Sequence, residues 1–86
     1  MKIIFHKNFE KNYARLTSAQ KEKFKNRKNI FLSNQFDPIL RNHALSGRYE
    51  GYRSISITGD LRVIYMLINE TTAFFVDIDS HSNLYR

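Results

Sequence analysis

The sequence predicts an α+β domain with two helices packed on one face of a small, mainly antiparallel sheet. Two observations carry this prediction. Apolar residues in the first half recur at helical spacing, and from Gly51 onward they alternate or run continuously, as they do in strands. The chain has 86 residues, a length that fits one domain, so we expect a single domain over residues 1–86.

The first half of the chain predicts a strand followed by a helix. Ile3, Ile4 and Phe5 favour β structure and precede a polar stretch, which predicts a short strand over residues 2–6. Phe9, Tyr13 and Leu16 then recur at i, i+4 and i+7 and form one apolar stripe, which predicts a first helix.

A second helix is predicted over residues 18–33. It begins after Thr17, whose hydroxyl can form a capping box with Gln20. Pro38 disfavours helical backbone in Asp37 and ends any helix before it. The side chains expected in the core are Phe24, Phe31 and Leu32. The side chains expected to be largely solvated are Lys21, Lys23, Lys25, Arg27 and Lys28.

The second half predicts three strands. Residues 54–58 alternate with period two, and Gly59-Asp60 is a hairpin signal. Residues 61–68 and 72–78 are mostly apolar runs of strand length. The longest irregular stretch, residues 36–51, lies before these strands, and long loops in compact domains tend to carry function.

The composition excludes several classes of protein. There is no cysteine, so neither a disulfide nor a thiolate metal site can form. The longest apolar run, residues 63–68, is far shorter than the roughly 20 residues of a membrane span. The N-terminal apolar stretch is too short for a signal peptide. We therefore expect a cytoplasmic protein with no membrane partner.

The basic residues are unevenly distributed, although the net charge is +6. All seven lysines lie before residue 29, whereas the basic residues of the second half are all arginine. Lysine is a hydrated point charge, and arginine offers a planar fork that suits phosphate. The pattern fits either a nucleic-acid-binding surface or a solvated, lysine-rich helix face.

Neither a metal nor a cofactor is expected. Glycine-rich phosphate loops and paired Cys/His spacings are absent from the sequence. The three histidines, His6, His43 and His81, are far apart in the chain and have no metal-ligand spacing.

Polar side chains at strand ends and in loops are the candidates for function. Arg48, Tyr49 and Arg53 combine cations with stacking surface, which suits splayed RNA bases. Arg62 opens an apolar strand and is either an edge residue that reaches solvent or a fixed cation for phosphate. His81, which follows the last strand, and Tyr85 are either a functional pair or tail packing.

Three blocks of the sequence together resemble the YafQ-like toxins of the RelE/ParE superfamily. Residues 43–55 resemble the H-x-L-x-G-x-(aromatic)-x-G-(aromatic)-R stretch. Residues 59–65 resemble the strand D-(aromatic/apolar)-R-(apolar)-(apolar)-Y, and residues 79–85 resemble the closing G-(S/T)-H-(S/A)-x-L-(F/Y) signature. The blocks cover about half of the chain in the right order and spacing.

The resemblance implies a β-α-α-β-β-β microbial RNase fold and a toxin of a type II toxin–antitoxin system. It implies a ribosome-dependent mRNA endoribonuclease in which a 2′-OH attacks the adjacent phosphate. The implied partners are a small, acidic cognate antitoxin, mRNA on the ribosome and ribosomal RNA, with operator DNA bound only through the antitoxin complex.

The resemblance also assigns roles to residues. His43 matches the first catalytic histidine, a base or orienting group, and Asp60 a site carboxylate. Arg62 matches the phosphate-binding arginine, His81 a candidate general acid, and Tyr85 the terminal aromatic that stacks on a base or positions the phosphate. Histidine titrates near neutrality and arginine stabilises negative charge, as this chemistry requires. The candidate RNA-binding residues are Arg48, Tyr49, Arg53, Lys21, Lys25 and Lys28.

Four positions depart from the YafQ-like pattern. Ser56 replaces a histidine, Ser54 an aspartate, and Leu61 a tryptophan, while Asp77 stands where a site arginine is usual. A carboxylate in place of a cation would weaken phosphate binding at that position. These departures motivate a second hypothesis, a catalytically weak or inactive member that acts as an antitoxin-binding module and transcriptional co-repressor. A ParE-like gyrase poison is a third, disfavoured by the two histidines.

Overall fold

The computed structural model describes residues 1–85. Two 3₁₀ turns, Pro38–Leu40 and Gly47–Tyr49, lie on either side of the second strand. The helices and strands in chain order are β1 (Lys2–Phe5), α1 (Lys7–Tyr13), α2 (Ser18–Ser33), β2 (His43–Ala44), β3 (Arg53–Ser56), β4 (Leu61–Asn69), β5 (Thr72–Ser80) and α3 (His81–Leu84).

The strands form one five-stranded sheet in the order β1-β5-β4-β3-β2. β1 pairs with β5 in parallel, and the other three pairings are antiparallel. The predicted α+β class with a mainly antiparallel sheet is confirmed. The segment predicted as irregular, residues 36–51, contributes the short strand β2, because His43 and Ala44 pair with Ser54 and Arg53 at the edge of the sheet.

Helix α2 begins and ends at the predicted residues. The Thr17 hydroxyl accepts from the Gln20 main-chain N–H at 3.1 Å, and the Gln20 side chain accepts from the Thr17 N–H at 2.9 Å, so the capping box is present. The prediction that Leu32 lies in the core is wrong, since its side chain is 38% exposed. Successive helical residues are rotated by about 100°, which turns Leu32 away while Ile30 packs against the core.

One hydrophobic core lies between the two long helices and one face of the sheet. Alternate residues of a strand share a face, but Phe75 and Ile78 are three apart and both belong to this core. A register shift between β4 and β5 at Ile64/Tyr65 allows this. The buried members of the core are Phe9, Phe24, Phe31, Leu40, Ile55, Ile57, Leu61, Val63, Tyr65, Ala73, Phe75 and Ile78.

The opposite face of the sheet carries polar side chains near the start of β4. In the antiparallel register, Arg62 of β4 lies between Ser56 of β3 and Asp79 of β5. His43 of β2 lies opposite Ser54 of β3 in the same way. Helix α3 follows β5 directly at this end of the sheet. The sheet therefore brings the polar blocks of the second half of the chain to one surface.

Candidate active site

A cleft of about 370 Å³ gathers four of the five residues to which the resemblance assigns catalytic roles. His43 comes from β2, Arg62 from β4, and His81 and Tyr85 from α3 and its C-terminal cap. Ala44, Leu45 and Ser46 complete the lining. The fifth residue, Asp60, is not part of this lining. The sheet therefore brings together side chains that are far apart in the sequence.

The imidazole of His43 is oriented by the main chain. Its Nδ1 lies 2.9 Å from the carbonyl oxygen of Arg41. A carbonyl can only accept a hydrogen bond, so Nδ1 carries the proton. In the neutral ring, Nε2 then holds the free lone pair, and the side chain is exposed. His43 is thus arranged to accept a proton at Nε2.

Arg62 is half-buried, and its guanidinium is held by main-chain carbonyls. Nη1 donates to the oxygen of Thr58 at 2.9 Å and to that of Leu61 at 3.5 Å. Both hydrogen bonds use Nη1, so Nε and Nη2 are available to donate to a ligand. This is the arrangement that a phosphate requires, because a fork of N–H groups matches two of its oxygens.

His81 begins helix α3, and Asp60 holds its main chain. The His81 N–H donates to the Asp60 carbonyl at 2.8 Å, and the Asp60 carboxylate lies 3.3 Å from the same nitrogen. The Asp60 side chain lines a neighbouring cleft with Asp79 and Asn83. In this structure Asp60 therefore positions His81 and does not face the cleft that contains it.

Tyr85 packs against His81 and closes one side of the cleft. The two ring centroids are 4.8 Å apart, and the Tyr49 ring meets Tyr85 edge-on at 6.0 Å. The Tyr85 hydroxyl is buried and has no hydrogen-bond partner within residues 1–85. Its contribution to the cleft therefore comes from the ring.

Ser54 lies beside the site without forming a polar contact. It is fully buried, and within residues 1–85 its hydroxyl has no hydrogen-bond partner. Its register partners are His43 on one side and Ile64 on the other. An unpaired buried hydroxyl costs free energy. The surrounding packing gives no structural reason for a serine at this position.

Asp77 lies outside the cleft, contrary to the expectation that it would face the phosphate. Its carboxylate accepts from the Asn12 side chain at 2.7 Å and from the Ile78 N–H at 2.8 Å. It lines a different cleft, with His6 and Arg48 among its neighbours. The hydrogen bond from Asn12 of α1 accounts for this placement.

The arginines predicted to bind RNA have contacts within the protein. Arg48 donates to the Leu84 carbonyl at 3.0 Å, with its guanidinium 4.9 Å from the centre of the Tyr49 ring, so both support the α3 end of the cleft. Arg53 donates to the Asn42 side chain at 2.7 Å and lies over the Phe36 ring. The structure does not bring Arg53 to the cleft.

Tyr65 is the centre of the network that holds Arg53. Its hydroxyl accepts from the Asn42 amide at 2.6 Å and donates to the Gln35 side chain at 3.3 Å. Burial raises the pKa of Tyr65 above its ordinary value of 10.0, although the Asn42 hydrogen bond and the positive charge of Arg53 act in the opposite direction. The network joins the residue before β2 to the core.

The predicted RNA-binding lysines also lie away from the cleft. Lys21 is placed over the Tyr13 ring at 5.5 Å, and Lys25 and Lys28 line a cleft with Phe9 and other aromatic rings. Three other cations, Lys23, Arg27 and Arg41, line a cleft together with Arg62, and the sequence reasoning missed them. The spacing of Lys23 and Arg27, one helical turn apart, is the only signal of it in the sequence.

No group of three or more His, Cys, Asp or Glu side chains that could hold a metal ion occurs in residues 1–85. Within the same residues, no helix has both the length and the apolar character needed to cross a membrane.

Two helices lie on one face of the sheet, and the cleft lined by His43, Arg62 and His81 lies on the other. The fold is similar to that of crystalline YafQ from E. coli, at 22% identity and a TM-score of 0.79, covering 99% of this chain and 98% of that one. It is also similar to a YoeB/ParE toxin from Agrobacterium tumefaciens, at 20% identity and a TM-score of 0.79, covering 94% and 99%.

The structure of the E. coli DinJ–YafQ toxin–antitoxin complex is another similar one, at 23% identity and a TM-score of 0.76, covering 99% of this chain and 97% of that one. No curated protein matches the chain. Residues 1–86 match the family model described as bacterial toxin of type II toxin–antitoxin system, YafQ. The chain therefore belongs to the YafQ family of toxins.

Proposed function

We propose that this toxin is an endoribonuclease that cuts mRNA on the ribosome. The observation that carries the proposal is the convergence of His43, Arg62 and His81 on one cleft. Two imidazoles and a guanidinium can supply the base, the acid and the cation that phosphodiester cleavage by an internal 2′-OH uses. The ribosome is the site of action in many toxins of the superfamily that the sequence resembles, and such a toxin acts in the cytoplasm.

The reaction needs one proton acceptor and one proton donor. His43 accepts the 2′-OH proton at Nε2, while O2′ forms a bond to the adjacent phosphorus. The bond from phosphorus to O5′ breaks, and protonated His81 gives its proton to O5′. The products are a 2′,3′-cyclic phosphate and a 5′-hydroxyl. The proton on Nδ1, held by the Arg41 carbonyl, supports the role of His43 as the base.

Arg62 stabilises the charge that develops on the phosphorane. Its Nε and Nη2 donate to the non-bridging oxygens, and because the Thr58 carbonyl already holds Nη1, little reorganisation is needed. Tyr85 supports His81 by packing against its ring. Asp60 acts as a positioning residue through the His81 main chain.

We also propose that a small, acidic antitoxin neutralises this toxin. The fold is similar to that of YafQ in its complex with DinJ, and the net charge of +6 favours an acidic partner. On this proposal operator DNA is contacted only through the antitoxin complex.

The second candidate function is an antitoxin-binding module without cleavage. Ser56 favours it, because Ser56 lies directly opposite Arg62 in the sheet at a position where YafQ-like proteins have a histidine. Asp77 gives it no support, since its carboxylate is bonded to Asn12 outside the cleft.

The test is to express the wild type and His81→Ala in bacteria and to map the 5′ ends of cellular mRNA. We expect growth arrest and new mRNA ends with the wild type only. Ser82→Ala is the matched control, because Ser82 is an exposed neighbour in α3 that does not line the His43–His81 cleft. Intact transcripts with every variant, together with tight antitoxin binding, would favour the binding module instead.

A further inference from the structure

We infer that a second cleft binds a backbone phosphate of the same RNA strand, next to the phosphate that is cut. We call it the cationic cleft, and it has a volume of about 370 Å³. Its charged lining residues are Lys23, Arg27, Arg41 and Arg62. The inference rests on the proposed function, which it extends with a path for the substrate.

The charge of the cationic cleft is of one sign. No Asp or Glu lines it, whereas the three clefts that do not border Arg62 contain Asp60 and Asp79, Glu10, or Asp77. Cations held together without carboxylates raise the local concentration of an anionic ligand. Of the five clefts described above, this one is therefore the best suited to phosphate outside the candidate active site.

Its four cations come from three separate parts of the fold. Lys23 and Arg27 are one turn apart on α2, Arg41 follows the 3₁₀ turn Pro38–Leu40, and Arg62 is on β4. Arg27 donates to the side-chain oxygen of Asn26, a neutral acceptor that leaves the positive charge of the guanidinium uncompensated. Packing of α2 and the turn around the end of β4 brings the four charges together.

Two residues join the cationic cleft to the candidate active site. Arg62 lines both clefts. Arg41 lines the cationic cleft, while its carbonyl oxygen holds His43 in the other. Its backbone is left-handed, with φ at 49°, which is uncommon for a residue other than glycine. Adjacent phosphate sites suit a polynucleotide, whose phosphates follow one another along a single strand.

The lining favours RNA over an antitoxin segment. A protein helix that docks in a groove needs pockets for apolar anchors. The cationic cleft offers an exposed Ile39 and otherwise cations, hydroxyls and a glycine, since Ile57 is only 1% exposed. Phosphate groups need cations and hydrogen-bond donors instead, which Ser56 and Thr58 add to the four charges.

The test measures RNA binding without cleavage. In a His81→Ala background, the affinity for a short single-stranded oligouridylate is measured over a range of salt concentrations. The test variant is Lys23→Gln/Arg27→Gln, since glutamine removes the charge but keeps helix propensity. The matched control is Lys7→Gln/Lys11→Gln, which removes two exposed charges from α1 that do not line the cationic cleft. Circular dichroism and melting temperature confirm that each variant folds.

Each cation that meets a single-stranded phosphate contributes about 0.7 to the slope of log affinity against log salt. We expect Lys23→Gln/Arg27→Gln to reduce the slope by about 1.4 and the control to reduce it much less. Equal slopes in the two double variants, or no RNA binding by the parent, would overturn the inference.

An antitoxin-binding assay with the same variants tests whether the cationic cleft binds the antitoxin instead of RNA. Weakened antitoxin binding by Lys23→Gln/Arg27→Gln with an unchanged RNA salt slope would make the cleft a protein interface and would overturn the inference. Because binding is measured without cleavage, failure of the wild type to cut mRNA contradicts the proposed function alone. Equal salt slopes in the two double variants contradict the cationic cleft alone.

Discussion

The main-chain carbonyl of Arg41 accepts a hydrogen bond from Nδ1 of His43 at 2.9 Å. This contact leaves Nε2 of His43 facing outward with its lone pair in the neutral ring. It also links the orientation of His43, the proposed base, to Arg41, whose side chain lies in the cationic cleft. One short segment between α2 and β2 thus serves both clefts.

Replacing the base is expected to slow cleavage without unfolding the protein. In His43→Gln the side chain cannot take the 2′-OH proton, so the single-turnover rate should fall by about 100- to 10,000-fold, the range for loss of a general base. The measurement is single-turnover cleavage of ribosome-bound mRNA. His43 is exposed, so the melting temperature should stay close to that of the wild type. A rate within a factor of about two of the wild type would remove His43 from the mechanism.

We expect cleavage to depend on the ring of Tyr85 and not on its hydroxyl. The hydroxyl is buried without a partner in residues 1–85, while the ring packs on His81 at 4.8 Å. Tyr85→Phe should therefore retain the cleavage rate, and Tyr85→Ala should lower it by roughly tenfold, since the His81 ring loses its support. Cleavage rates of Tyr85→Phe and Tyr85→Ala show whether the ring or the hydroxyl contributes to the reaction. A large loss in Tyr85→Phe would give the hydroxyl a direct role in the reaction.

Stability at high pH should depend on Tyr65. Burial raises the pKa of its phenol above 10.0 in the folded state. As pH rises through 10.0, the unfolded phenol ionises first, so the folded state holds more protons and the free energy of unfolding falls. The decline continues until the pH passes the folded pKa. Denaturant unfolding should show a steeper loss above pH 10.0 in the wild type than in Tyr65→Phe. If the unfolding free energies of the wild type and Tyr65→Phe fell in parallel as the pH rose, the predicted role of Tyr65 would be contradicted.

Ser54→Ala should leave stability unchanged or raise it by up to about 1 kcal/mol, because the buried hydroxyl it removes has no partner. Thr17→Ala is the opposite case, since it removes the N-cap of α2 and should cost about 1 kcal/mol. Urea unfolding measures both. A loss from Ser54→Ala as large as that from Thr17→Ala would mean that the Ser54 hydroxyl makes a stabilising contact.

Local signals predicted α1, α2 and the hairpin of β3 and β4, whereas the short helix α3 was not predicted. The capping box at Thr17 fixed the start of α2, and period-two alternation located the strand that pairs with β4. The parallel pairing of β1 with β5 was beyond such signals, because it joins the two ends of the chain and depends on packing around the helices. The same holds for β2, which is too short to have a periodicity of its own.

The candidate site was only partly accessible from sequence. His43, Arg62 and His81 were found through resemblance, and only the folded sheet brings them to one cleft. Residue type alone could not distinguish the role of Arg62 from that of Arg53. In the folded sheet Arg53 donates to the Asn42 side chain, whereas Arg62 donates to the Thr58 carbonyl. The cationic cleft was missed because its lysine and arginines converge only when α2 packs beside β4.

The central claim is that His43, Arg62 and His81 direct a 2′-OH against the adjacent phosphate of mRNA. The most direct measurement is cleavage of a ribosome-bound mRNA that carries a single 2′-deoxynucleotide at the mapped cut. We expect the wild-type toxin to leave this position intact, as His81→Ala does on the all-ribose mRNA, and to cut the all-ribose mRNA to a 2′,3′-cyclic phosphate and a 5′-hydroxyl. Cleavage of the deoxy-substituted mRNA at the same position and rate would contradict it.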